Sequence, residues 1–389
     1  MAVGVTYPRG FVAAGVAAGI KASGRPDVAL VVAAEGAVPV AAVFTRSATA
    51  AAPVVVSRRN FRESGLSRAV LVQSGNANAA TGAQGLADAE RMAALVAAGL
   101  EARAADVLVA STGVIGVPLP MEQVEQGIAS ALASLSPAGG VEAAAAILTT
   151  DHGPKLAQRA AAGIRVGGMA KGAGMIRPDL GTMIAVITTD AVASPEQLGQ
   201  ALREAVHSSF NAITVDGCTS TSDTVVLMAS GASGLPFADD AACAVREVCL
   251  DLALQIVRDG EGARRIGRWE VTGTASDDDA TAIAYAVAEA QLVRCALHGA
   301  DPNWGRIIAA IGAAGCTVDA EQISITLGGH ELCRAGMAVP EVDQQAVAVA
   351  AAADTVEITI ALGSGAGRAV VWGSDLSAAY VAVNAEYTT

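Results

Sequence analysis

Lys171 to Ala191 reads KGAGMIRPDLGTMIAVITTDA. Its two halves differ in character. Lys171-Gly172-Ala173-Gly174-Met175-Ile176-Arg177-Pro178-Asp179-Leu180-Gly181 is rich in Gly and contains Pro, which predicts a loop. Thr182 to Thr188 follows as an uncharged β-rich run and predicts a strand. A Gly-Thr step at the mouth of a strand suits self-cleavage. Gly181 has no side chain to shield its carbonyl and tolerates strained backbone geometry. The Thr182 hydroxyl can attack that carbonyl. An acyl shift from nitrogen to oxygen, followed by hydrolysis, then frees a new N-terminal amine. That amine, with a reference pKa near ~8, can take the hydroxyl proton in later turnovers, so one residue holds both nucleophile and base. Alone, the signal is weak: Gly-Thr before a strand is common, and a bare dipeptide is far more often an ordinary way into a strand.

Strand and helix patterns alternate outward from this stretch. Val28 to Val32 and Val38 to Phe44 read as strands, and Asp106 to Ala110 as a strand running into a turn at Ser111-Thr112-Gly113. Ala89, Met92, Ala93, Val96 and Leu100 fall on one helical face. Pro195 to Ser209 and Asp239 to Arg258 read as helices, with Gly260 a stop for the second. In the last third, Ile323, Ile325 and Leu327 alternate with Ser324 and Thr326. Val356, Ile358 and Ile360 alternate with Glu357 and Thr359. That is the pattern of sheets with one solvated face. The expected organisation is a 1–266 α/β domain containing the Gly181–Thr182 step and a 267–389 α+β domain.

Composition narrows the function. With 389 residues, 52% of them hydrophobic, a large core can form. No segment has the length and apolarity of a membrane span, and Met1 to Phe11 lacks the pattern of a signal peptide, so a cytoplasmic protein is expected. A formal net charge of -13 without a Lys/Arg block argues against nucleic acid and anionic membrane as partners. Cys218, Cys243, Cys249, Cys295, Cys316 and Cys333 form no C-x-x-C pair and have no histidines at ligand spacing, so no metal site is expected and buried free thiols are the plain reading. Gly363-Ser364-Gly365-Ala366-Gly367 looks nucleotide-like, but the strand Ala369 to Trp372 follows it where a dinucleotide site needs a helix. No Walker A sequence or acetyl-CoA pyrophosphate loop is present, and no cofactor is expected. Lysine occurs only at Lys21, Lys155 and Lys171, every other cation being arginine. A lysine that persists in such a chain suggests a place where a compact point charge is needed and a planar fork does not fit. Lys21 reads as chance.

The block Lys171 to Ala191 resembles the processing site of the ornithine acetyltransferase family, which also covers glutamate N-acetyltransferases. Other blocks agree in order. They are Val43-Phe44-Thr45 with Ala52-Pro53-Val54, Ser74 to Gly82, Ser111 to Gly116, Thr149-Thr150-Asp151 with Pro154-Lys155, Asp223-Thr224, Asp259-Gly260-Glu261-Gly262, Asp301 to Arg306, and Asn384 to Thr389. The resemblance spans nearly the whole chain. Departures are Gly181 where the family commonly has Ala, Ser47 where it often has Asn, and the segment Cys218 to Asp223.

The resemblance implies an α/β fold of layered sheets and helices, of the kind found in DmpA-type self-processing hydrolases, with a smaller α+β C-terminal domain. It implies cleavage at Gly181–Thr182 into an α chain, 1–181, and a β chain from 182, assembled as α2β2. Thr182 would be the acetylated nucleophile, with the Thr112 hydroxyl and the Gly113 N–H as oxyanion hole. Thr149, Lys171, Thr182, Glu261, Asn384 and Thr389 would bind the amino-acid substrate, Lys171 its carboxylate and Glu261 its ammonium, with the tail returning to the site. The implied reaction is ping-pong acetyl transfer from N-acetyl-ornithine to glutamate in arginine biosynthesis, without cofactor or metal. The rival expectations are an N-terminal-threonine amidase or aminopeptidase with water as acceptor, and a binding protein with a decayed site.

Overall fold

The computed structural model describes residues 2–177 and 183–386. Thr182, Gly181 and Thr389, all expected site residues, lie outside them. The described residues form two compact units, one of residues 2–211 and 218–256, the other of 212–217 and 257–386.

In chain order the described strands are β1 Phe11–Val16, β2 Val28–Ala33, β3 Val38–Phe44, β4 Leu66–Ser67, β5 Ala69–Asn76, β6 Val107–Val114, β7 Lys155–Ala161, β8 Ile164–Lys171, β9 Ile184–Thr189, β10 Ile213–Thr214 and β11 Thr224–Ala229. They continue as β12 Ile266–Thr274, β13 Ser324–Leu327, β14 His330–Arg334, β15 Met337–Ala338, β16 Thr355–Ala361 and β17 Gly367–Ser374.

The first unit holds a four-stranded sheet, β1-β2-β5-β6, and a six-stranded sheet, β4-β3-β11-β9-β8-β7. Strand β2, VALVVA, shows why they stack. All its residues are buried, and successive side chains point to opposite faces. Val28, Leu30 and Val32 enter one core with Met92, Val96 and Ile128 of the helices Gly82–Gly99 and Met121–Ala133. Ala29, Val31 and Ala33 enter the other core with Val40, Met169, Ile184, Val186 and Val226 of the larger sheet. The far face of the larger sheet meets the helix Asp239–Arg258. A Cβ on Gly168 would lie 3.0 Å from Leu252 Cδ1 and 3.2 Å from Val248 Cγ1. The order is helix, sheet, sheet, helix, which agrees with the layered α/β class.

The second unit is α+β, a mixed seven-stranded sheet, β10-β17-β12-β16-β13-β14-β15. Strand β16 alternates as the sequence suggests. Val356, Ile358 and Ile360 are buried among Trp269, Ile283, Ile311 and Val371, while Glu357 is exposed. Asn303 caps the helix Trp304–Gly312 by accepting the Arg306 N–H, which gives the Asp301 to Arg306 motif a structural task.

Two expectations change. Ser111-Thr112-Gly113 is no turn. It continues β6 in parallel register with Gln73-Ser74-Gly75 of β5. The glycines here are not punctuation. Gly75 and Gly113 have φ of 109° and 130°, and the ladder bulges at Asn76, so the strands run on past the point where the sequence reads as a turn. Of the six cysteines only Cys249 and Cys333 are buried, while Cys218 and Cys295 are exposed.

Candidate active site

Strand β6 delivers Thr112 and Gly113 as neighbours, Thr112 almost fully buried. Gly113 admits no side chain. A Cβ there would sit 2.4 Å from the Gly75 carbonyl carbon and 2.6 Å from Asn76 N. The two backbones can touch because Gly113 has no side chain, and that contact fixes where the Gly113 peptide points.

Lys171 ends β8 inside the same unit. Its ammonium is 2.8 Å from Thr149 Oγ1, 3.4 Å from Thr112 Oγ1 and 3.9 Å from Asp151 Oδ2. Because Lys171 donates to the Thr112 hydroxyl, that oxygen acts as acceptor and keeps its own proton to give. A hydroxyl held this way beside a strand N–H can meet a developing oxyanion.

Asp151 ties the corner together. Its Oδ1 accepts from Lys155 Nζ at 2.6 Å and from the Gly172 N–H at 2.7 Å, and its Oδ2 accepts from the Thr149 N–H at 3.0 Å. Burial alone would raise its carboxyl. The charges of Lys171 and Lys155, the Lys155 hydrogen bond and the Gly172 N–H outweigh burial and hold it well below the usual carboxylate range. Asp151 is thus held as an anion between two cations, Lys155 and Lys171.

The profile of the ArgJ family matches residues 12–389. This chain belongs to the ArgJ family. It is similar to the arginine biosynthesis bifunctional protein ArgJ of Synechococcus sp., at 48% identity over 99% of this chain and 97% of that one. It is similar to the ArgJ of Thermobifida fusca, at 45% identity over 99% of this chain and 100% of that one. Among solved structures it is similar to an ornithine acetyltransferase complexed with ornithine from Mycobacterium tuberculosis, at 44% identity. That match covers 46% of this chain and 95% of that chain, with a TM-score of 0.41.

Within this ArgJ chain the structure brings together four of the expected residues, Thr112, Gly113, Thr149 and Lys171, in the first unit. Glu261 and Asn384 meet each other in the second. The Asn384 amide donates to Glu261 Oε2 at 2.8 Å and to the Tyr380 carbonyl at 3.0 Å. Gly262 makes that meeting possible. Its φ is 67°, and a Cβ would lie 2.4 Å from Tyr380 N. The loop therefore lies against the helix Ala378–Glu386, in which Asn384 sits.

Two residues were passed over by sequence reasoning. Asp151 appeared only as a letter in a motif, though its place four residues before Lys155, one of only three lysines, was a signal. Lys21 was set aside as chance. Its Nζ donates to the Pro26 carbonyl at 2.7 Å, and its stem packs on Gly75, whose Cβ would stand 3.0 Å from Lys21 Cγ. Burial, opposed by Asp27 and aided by the charges of Arg25 and Lys171, brings its ammonium down to about 8. All three lysines of the chain thus act on this corner: Lys155 and Lys171 pair with Asp151, and Lys21 interacts with the charges of Lys171 and Asp151.

Proposed function

We propose that this chain cleaves itself between Gly181 and Thr182 and then carries acetyl groups on Thr182 from N-acetyl-ornithine to glutamate. As a member of the ArgJ family it is an acyltransferase of arginine biosynthesis. The proposal concerns how it works. The observation that carries it is the convergence of Lys171, Thr149 and Thr112 on one buried corner beside Gly113, with Lys171 paired opposite Ile184 of β9.

In the first half-reaction the α-amine of Thr182 accepts the hydroxyl proton, and the hydroxyl oxygen attacks the acetyl carbonyl. The oxyanion is met by the Thr112 hydroxyl and the Gly113 N–H. Collapse expels ornithine, which takes the proton back, and leaves the acetyl ester on Thr182. Glutamate then enters, and its amine attacks the ester by the same route in reverse. The acetyl group moves between two amines of similar reactivity, so neither cofactor nor metal has work to do. Lys171 serves the substrate carboxylate and Glu261 its ammonium, with Asn384 orienting Glu261 and Thr389 adding a terminal carboxylate. The two chains assemble as α2β2 in the cytoplasm.

Changing Thr182→Ala tests this reading, because one hydroxyl serves both processing and transfer. Cleavage and acetyl exchange should both be abolished. An alanine variant that exchanges acetyl groups at a comparable rate would place the nucleophile elsewhere. Acetyl-ornithine consumed by the wild type without N-acetylglutamate formed would mean that water is the acceptor.

A further inference from the structure

Asp223 has none of the roles assigned above. It stands just before β11, which runs parallel to β9 with Thr224 opposite Ile184. Its side chain is buried, at 2% exposure. Oδ1 accepts the Met183 N–H at 2.7 Å, and the Thr224 N–H returns a bond to the Met183 carbonyl at 3.1 Å. The Met183 nitrogen is bonded directly to the carbonyl carbon of residue 182. The carboxyl therefore lies at the N–H of Met183, the residue that follows the proposed nucleophile in the sequence.

The other oxygen, Oδ2, is buried and has no hydrogen-bond partner among the described residues. The nearby Thr45 hydroxyl donates its single proton to the Ser220 carbonyl at 2.9 Å. A buried carboxylate oxygen without a donor is costly, whereas a carboxylic acid carries a proton of its own and is itself a donor.

We propose that Asp223 is the proton shuttle of the self-cleavage step, handing the proton of its buried Oδ2 to the amine released at residue 182; this rests on the self-cleavage reading above. The hydroxyl oxygen of Thr182 bonds to the Gly181 carbonyl carbon, and the bond from that carbon to nitrogen breaks. The departing nitrogen takes the Asp223 proton, and the carboxylate left behind takes the hydroxyl proton. An ester and an amine replace an amide and a hydroxyl, with no net gain or loss of protons. Water then hydrolyses the ester, leaving Gly181 with a carboxylate and restoring the hydroxyl.

The electrostatics agree. Burial pushes the Asp223 carboxyl well above the ordinary aspartate value, against the lowering pull of the Met183 N–H and the Lys171 charge. The charged groups on the elements around it include Lys171 on β8 and Arg58, which donates to the Thr45 carbonyl at 2.8 Å from the helix Ala52–Ser64.

The test follows full-length precursor by denaturing electrophoresis and intact mass after rapid synthesis. Asparagine keeps an acceptor for the Met183 N–H but cannot cycle a proton. Asp223→Asn should slow cleavage by about 100-fold or more. A Thr182→Ser precursor keeps a hydroxyl and Asp223 and is expected to process slowly; its cleavage should slow further as pH rises through the raised carboxyl value, and the added Asp223→Asn change should remove that dependence. An Asp223→Asn precursor that cleaves at the wild-type rate with the wild-type pH profile overturns the proposal. So does a flat profile in the Thr182→Ser precursor, which answers the question even where the asparagine variant fails to fold. A wild-type chain that transfers acetyl without ever cleaving brings down the self-cleavage reading itself, a different and separately visible failure.

Discussion

Asp151 and Asp223 are both buried aspartates of the first unit, at 3% and 2% exposure, and both act on Lys171. One is held well below the ordinary carboxylate range and the other is pushed well above it. The difference lies in their partners. Asp151 accepts from a lysine ammonium at 2.6 Å and from two backbone N–H groups. Asp223 accepts from one backbone N–H, and its second oxygen has no partner among the described residues. Burial sets the stake, and the nearest donors decide which protonation state survives. Carboxyl groups driven in opposite directions within one unit are what a site needs when one must stay a fixed anion and the other must move a proton.

The largest expected effect comes from replacing each aspartate by asparagine and comparing the losses. Asp151→Asn removes the buried carboxylate that Lys155 and Lys171 pair with and should cost about 3–5 kcal/mol of stability in denaturant melts. Asp223→Asn exchanges one neutral polar group for another and should cost about 1 kcal/mol or less. Equal losses at the two positions would mean that Asp223 is ionised and would erase the contrast.

Acid should sharpen the same contrast. The folded-state value of Asp151 is depressed, so its contribution is fully present above the unfolded value near ~3.9 and fades as pH falls below it. Asp223 has the opposite sign. Its contribution is full at low pH and is lost as pH rises through its raised folded value. Acidification from about pH 5 to about pH 3 should therefore destabilise the wild type more than Asp151→Asn, in which that dependence is gone. Parallel acid profiles for the two proteins would contradict the assignment.

Lys171→Arg keeps the charge and should still lower kcat/KM by about tenfold or more. A planar guanidinium cannot take the place of an ammonium shared among Thr149, Thr112 and Asp151 in a buried corner. Steady-state kinetics equal to wild type would return Lys171 to coincidence. The smallest effect belongs to the Glu261–Asn384 pair, where Asn384 is exposed. Asn384→Ala, or removal of Tyr387 to Thr389, should raise the KM for acetyl-ornithine a few-fold and leave self-cleavage intact. A tail-less enzyme with wild-type KM would show that the tail is dispensable.

The layers were legible because their signal is local. VALVVA of β2 and the alternation of β16 state their period within a few residues. Thr112-Gly113 was misread as a turn because what extends β6 is Gly75-Asn76 on another strand, a pairing no local pattern encodes. Thr112, Gly113, Thr149 and Lys171 entered the candidate site through motifs. Asp151 and Lys21 were missed as functional residues because their meaning is relational. Each is an ordinary letter until the fold sets the lysine charges around one carboxylate. Asp223 was visible only as half of a dipeptide, and its interest arises from Met183, the residue beyond the proposed nucleophile.

The most direct measurement is N-terminal sequencing, with intact mass, of purified protein that shows acetyl-transfer activity. Two chains are expected, the second beginning at Thr182. A single 38.6 kDa chain in active enzyme would contradict the account.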